Sequence, residues 1–282
     1  MIKSSFAGKF YEKDYVKLMS QIDSSYEHEF GPGDLPTRRK EGKLHGIIVP
    51  HDYYNLSGPC ASWGYKLLAE HKFPDTFVIL VPDQSNTLLN YATTSEDFET
   101  EFGICKVDKE FVEKLIANGI VTKKDSIVEQ ALEMQLPFLM HACKDKVKDV
   151  KILPIVIPHT HNLEALAKEI VDSGKDIVVI VASNFTKYGP KFLFTPFKYN
   201  LNESLNQLDR NIVKSILNLD SDTLIKYVRR NKIQASGIYA ITLALTIFKL
   251  MEVNEGELLS FYRSSKIDED LENFISYMSF VF

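Results

Sequence analysis

Four short runs of branched aliphatic residues constrain the fold of this chain most: "GIIVP" at 46–50, "FVILVP" at 77–82, "VKILPIVIP" at 150–158 and "DIVVIVAS" at 176–183. Runs rich in Val and Ile, without alternating polar residues, suit strands covered on both faces. Helical patterns separate them: "ASWGYKLLAEH" after the first, "KEFVEKLIANG" and "SIVEQALEMQLPFLMHAC" after the second, "NLEALAKEIVDSG" after the third. Such alternation predicts an α/β fold with a mostly parallel central sheet and helices on both of its faces. "LLSFYRSS" at 258–265 predicts a further strand after a helical stretch over 203–251. Inside that stretch, "QLDRNIVKSIL" and "NLDSDTLIKYVRR" read as amphipathic helices, the second capped by Asp220 or Ser221.

The chain has 282 residues, 45% of them hydrophobic, which fits one α/β domain spanning 1–282. A net charge of −5 with both signs dispersed gives no basic field, so nucleic acid is not an expected partner. The densest cationic cluster, "TRRKEGK" at 37–43, follows "GPGDLP" and reads as a solvated loop. Cys60, Cys105 and Cys143 are far apart, which disfavours a disulfide framework or thiolate zinc site and predicts small core residues. The longest apolar stretch, Gly237 to Met251, is shorter than the roughly 20 residues that cross a bilayer and reads as a buried helix. No secretion pattern opens the chain, because Lys9, Glu12, Lys13 and Asp14 interrupt any apolar segment. A cytoplasmic protein without a membrane partner is expected.

Ligands of open α/β sheets sit at the carboxyl ends of the strands. Here those ends carry "HDYYN", "DQSN", "HTHN" and "SNFTKYG", so a site would draw on His51, Asp52, Asp83, Gln84, His159, His161, Asn184 and Lys187. Each alone is an ordinary polar loop residue. Their convergence is the informative part. His51, Asp83 and His159 could together form a divalent-metal site, although no spacing fixes two ligands on one element. His28, His45, His71, His141 and Trp63 lie outside this group and read as structural.

Six segments in order give a resemblance. "FAGKFYEKD" is similar to A-G-x-[FW]-Y, "IIVPHDYYNLSG" to I-x-P-H-A-G-Y-x-x-[SC]-G, and "VILVPDQSN" stands where a strand ends in G-P-[ST]-H. "VEQALEMQLPFL" matches E-H-S-[IL]-E-x-[QH]-L-P-[FY], "VIVASNFTKYG" matches V-x-S-S-D-x-[ST]-H-[WY]-G, and "FYRSSKIDEDLENFISYMSF" resembles the closing Y-x-x-S…S-Y segment. Nearly end to end, the chain resembles the Memo family (mediator of ErbB2-driven cell motility; AmmeMemoRadiSam system protein B), in an archaeal-like form. The resemblance implies the fold of class III extradiol dioxygenases and a metal site.

The residues implied for that site have mostly changed. His51 is retained, but the histidine after the second strand falls on Gln84 with Asp83 before it, and the E-H-S histidine is Gln130, although Glu133 remains. The S-S-D aspartate is Asn184 and the following histidine is Lys187; the family's C-G-x-x-[PA] cysteine is placed at Gln234 or Ala235. Amides are weak ligands and an ammonium is none. The resemblance with these losses implies a degenerate metal site in a non-catalytic binding or scaffolding protein, with no cofactor, or with Fe, Cu or Zn held weakly near His51. Two alternatives remain: a rebuilt metal-dependent oxidoreductase or hydrolase using His51, Asp52, Asp83 and Glu133, or a pocket for a small anionic ligand centred on Lys187. The ligand-binding set is His51, Asp52, Asp83, Gln84, Glu133, Asn184, Lys187 and Gln234. The expected partner is a small molecule, an unidentified protein or a second copy of the chain.

Overall fold

The computed structural model describes residues 1–159 and 163–282. Its strands are β1 (Gly46–Val49), β2 (Thr76–Pro82), β3 (Ala92–Thr93), β4 (Phe98–Thr100), β5 (Gly103–Val107), β6 (Thr122–Lys123), β7 (Lys151–Ile157), β8 (Ile177–Ala182), β9 (Lys187–Tyr188), β10 (Glu257–Arg263) and β11 (Phe274–Val281). The α-helices are α1 (Tyr15–Glu27), α2 (Tyr54–Glu70), α3 (Lys109–Ala117), α4 (Gln130–Glu133), α5 (Gln135–Ala142), α6 (Glu164–Val171), α7 (Leu201–Leu217), α8 (Ser221–Arg230), α9 (Ile238–Leu250) and α10 (Ser265–Asp268).

All four aliphatic runs are strands, and they stand side by side. The order along the main sheet is β10-β11-β1-β8-β2-β7-β3-β6. β1 pairs parallel with β8, β8 with β2 and β2 with β7, in registers such as Ile47↔Ile180 and Leu80↔Ile155. Every residue of β1, β2 and β8 is buried. The expectation of a mostly parallel sheet holds for this centre only. β11 runs antiparallel to both β1 and β10, and β3 runs antiparallel to β7, so the sheet is mixed.

Alternation of side chains puts Ile47 and Val49 on one face of β1 and Gly46 on the other. The first face receives α2: a methyl at Gly64 would lie 2.7 Å from Val49, so the helix backbone rests directly on the strand. On the second face Phe248 of α9 fills the space that a side chain at Gly46 would need. The sheet is therefore sandwiched, as expected. α9 spans 13 residues, and no helix among the described residues is long and apolar enough to cross a membrane.

Two local features differ from the periodic reading. The pattern at 126–143 forms two helices, α4 and α5, and Pro137 in the first turn of α5 has no N–H to continue a bond back into α4. In α2, Pro59 interrupts the ladder, and the Tyr262 hydroxyl enters it: it donates to Leu56 O at 2.6 Å and accepts from Cys60 N at 3.2 Å. Asp220 caps α8 by accepting from Thr223 N, and the three cysteines are free and buried. The 37–43 segment is irregular, but Arg39 is held by Asp145 and by the carbonyls of Leu68 and His71.

A buried ionic cluster supports the turn after β8. Asp209 of α7 is 2% exposed and accepts from Thr186 Oγ1 at 2.7 Å, Ser276 Oγ at 3.0 Å and Arg263 Nη2 at 3.2 Å. Thr186 lies between Asn184 and Lys187, so this cluster fixes the segment that carries both.

Candidate functional site

β1 ends at a proline, which cannot donate to a ladder, and the chain leaves the sheet at His51. The imidazole is 2% exposed. Its Nδ1 lies 3.1 Å from Gln130 Oε1 and its Nε2 2.9 Å from Ser236 Oγ. The backbone is held as firmly: His51 N donates to Asn184 Oδ1 at 3.0 Å, and His51 O accepts from Gln130 Nε2 at 3.0 Å and Asn184 Nδ2 at 3.3 Å. One amide thus clasps both sides of the His51 residue and ties the end of β1 to the end of β8. Burial pushes the ring down to about 4; the bond to Gln130 opposes this and the Lys187 charge adds to it. His51 is neutral at pH 7.

Ser236 sits where the chain turns into α9. Its Oγ also accepts from Asn184 N at 3.2 Å, and its own N donates to Asn184 O at 2.9 Å. Gly237 follows with φ +82°, and a methyl there would stand 2.6 Å from Ala182 O, so this position needs glycine.

The other expected residues divide. Gln84 reaches the cluster, donating to Gln130 Oε1 at 3.3 Å. Asp52 is half-buried beside it: its carboxylate accepts from Tyr277 Oη at 2.9 Å and Tyr53 N at 2.8 Å, and burial pushes its pKa up against those bonds and Lys187. Lys187 is half-buried and acts on both Asp52 and His51; burial lowers its pKa while Asp52 pulls it back up. Asp83 turns to its own loop, accepting from Ser85 Oγ at 2.6 Å and Leu88 N at 2.7 Å. Burial alone would raise it, but those bonds hold it below the ordinary carboxylate range.

Two expected members stand apart. Glu133 accepts from Ser5 N, Phe6 N and Tyr11 Oη, so it anchors the amino-terminal segment. The Gln234 side chain is exposed and donates to Lys232 O; only its carbonyl takes part, accepting from Lys187 N. His159 is exposed and stacks on Tyr239 with centroids 5.1 Å apart, and His161 lies outside the described residues. His141 pairs with Asp23, His28 accepts from Phe30 N, His71 bonds back to Leu67 O at the end of α2, and the Trp63 indole donates to Phe30 O.

Reasoning from sequence missed Gln130 as a ring partner, Ser236 and Glu129. The signal for Ser236 was present: "SGIYA" at 236–240 fits C-G-x-x-[PA] with serine for cysteine, two residues beyond Gln234. Glu129 adjoins Gln130, and burial together with the Asp83 charge pushes its carboxyl up to about 7. A raised acid is penalised when ionised, so its contribution to stability falls as pH rises from 4.5 through about 7. Discounting for partial exposure, Glu129→Gln is expected to stabilise the protein by about 1–2 kcal/mol above pH 7 and to leave acid stability unchanged, as read by urea unfolding.

Comparison with known proteins decides the family. The Memo-like protein family matches residues 3–281. The chain belongs to the Memo family. A MEMO1 family protein of Methanopyrus kandleri is 30% identical over 98% of this chain and 96% of its own. One from Saccharolobus islandicus is 35% identical over 72% and 75%, and one from Methanobrevibacter smithii 28% identical over 99% of both. An uncharacterised Escherichia coli K12 protein of known structure overlaps 84% of this chain and 99% of its own at 11% identity, with a TM-score of 0.46, too loose to assign a fold class.

The metal that the family resemblance implies does not fit the donors of this Memo protein. The candidate ligands are one imidazole, three primary amides (Gln84, Gln130 and Asn184) and a hydroxyl, and both ring nitrogens are already bonded to neutral groups of the chain. Among the described residues no three His, Cys, Asp or Glu side chains could hold a metal ion. The Lys187 ammonium, whose charge already acts on the His51 ring, would repel a dication bound there.

Proposed function

We propose that this Memo-family protein works without a metal, on a scaffold of the class III extradiol dioxygenase type, and binds a small polar or anionic molecule at the carboxyl edge of its sheet. The observation that carries this reading is the His51 ring, whose nitrogens face Gln130 and Ser236 instead of a set of metal donors. Lys187 supplies positive charge beside it, while the Gln84 and Ser236 side chains offer hydrogen bonds. The scaffolding role drawn from the substitutions alone has no comparable geometric support.

Two measurements test the reading. Protein purified after growth with added iron, copper and zinc should hold substoichiometric metal by elemental analysis; one equivalent, lost on His51→Ala, overturns it. Inorganic phosphate or a small carboxylate should raise the melting temperature, with the shift lost in Lys187→Met. An equal shift in that variant removes the anion from the proposal.

A further inference from the structure

The protons of the His51 cluster can be assigned from its hydrogen bonds. Gln130 Nε2 donates to His51 O, which identifies the nitrogen end of that amide, and its other end receives Gln84 Nε2. Gln130 Oε1 therefore faces His51 Nδ1 as an acceptor, and the neutral ring carries its proton on Nδ1. The lone pair is left on Nε2, where only a donated proton makes a bond. Ser236 Oγ, 2.9 Å away, supplies it, since its other acceptor, the Asn184 carbonyl, is farther at 3.4 Å. The result is a directed chain, Ser236 O–H to His51 Nε2 and His51 Nδ1–H to Gln130 Oε1, in the same roles as a serine, a base and an orienting group.

We propose that Ser236 is a nucleophile for acyl transfer from short-chain carboxylic esters, with His51 as its base and Gln130 as the positioning residue. This rests on the metal-independent reading above. In the first step Ser236 Oγ bonds to the ester carbonyl carbon while its proton passes to His51 Nε2 and the carbonyl electron pair moves to oxygen. Collapse breaks the bond to the alkoxy group, which leaves as the alcohol with the proton from Nε2. Water, deprotonated by the same nitrogen, then attacks the acyl-serine and releases the acid and free Ser236.

Three further observations fit this chemistry. Ser236 is partly exposed while His51 is buried, so of the two residues the serine lies nearer the solvent. Ala235 and Gly237, its neighbours in the chain, line a cleft of ≈ 170 Å³ that Ser236 itself does not line; its walls combine apolar Pro82, Ile157, Ile225 and Val228 with Arg229 and Tyr239, and its size suits a short acyl chain. α9 begins beyond Gly237 with no side-chain cap, so its first turn brings N–H groups and a positive dipole end near the serine. A neutral amide in the orienting place, burial and the nearby Lys187 charge all disfavour the imidazolium, so His51 is a weak base and the chemistry is confined to activated esters and slow turnover.

The test uses the full chain with a fluorophosphonate and with p-nitrophenyl butyrate. Expected are one phosphonate adduct on the Ser236 peptide by mass spectrometry and a nitrophenolate burst approaching one equivalent. Both should vanish in Ser236→Ala and slow by on the order of 100-fold or more in His51→Gln, with melting curves confirming that both variants fold; Ser236→Cys should keep the burst. Metal-free protein that gives no adduct overturns the acyl-transfer inference and leaves the binding reading standing. An adduct formed at equal rate in His51→Gln overturns the role of the ring. Labelling that disappears on chelation overturns both.

Discussion

Acidification from pH 6.5 to about 4 is expected to cost the native protein about 3 kcal/mol through His51 alone. Burial holds the folded ring at about 4, against the ordinary 6.5 that it regains on unfolding. Between these values the unfolded chain binds a proton that the native state refuses, so the stabilisation is complete above 6.5 and is lost as pH falls through 4. Carboxylates also titrate in this window, and the measurement must isolate the histidine. Urea unfolding of the native sequence and of His51→Gln should show a difference in stability that shrinks steadily on acidification. A difference independent of pH would mean that the ring is not held neutral.

The second large effect is expected at Asp209. Asp209→Ala should destabilise the protein by about 3 kcal/mol, because it leaves the half-buried Arg263 with only Asn206 as a side-chain partner and deprives Thr186 and Ser276 of an acceptor. Burial raises the Asp209 pKa in spite of the Arg263 charge, so desolvation outweighs attraction at this site. Asp209→Asn, which keeps an acceptor and removes the charge, should therefore lose much less. Because the cluster supports the segment from Asn184 to Lys187, the alanine variant should also slow the Ser236 burst. Equal losses in both variants would show that charge, not hydrogen bonding, dominates.

The centre of the fold was legible because strands covered on both faces must be apolar throughout, and four Val/Ile runs of that kind admit few other readings. Its edges were not. β3 and β6 are two residues long and have no period of their own, and the antiparallel course of β11 depends on pairing with β1 and β10. At the site, the strand-end residues His51, Gln84, Asn184 and Lys187 lie together in the structure. Strand ends could not reveal which polar residues spend themselves on local structure: Asp83 closes its own loop, and Glu133 binds the amino-terminal segment 128 residues away in sequence. Ser236 was missed for a different reason. The glycine of the Ser-Gly pair is demanded by a left-handed backbone and a close approach to Ala182 O, neither of which is visible in the sequence.

The clasp that Asn184 makes on His51 also bears on how this lineage can change. Restoring aspartate at 184, as in the resemblance, would set a carboxylate oxygen against the His51 carbonyl where an amide N–H now donates. Restoring histidine at 130 would remove the acceptor of Nδ1–H and a donor to the same carbonyl. Each change made singly removes a bond that holds the His51 residue and is expected to destabilise the site. The residues of the cluster are therefore interdependent: a change at 184 or 130 is accommodated only together with changes in the groups it bonds.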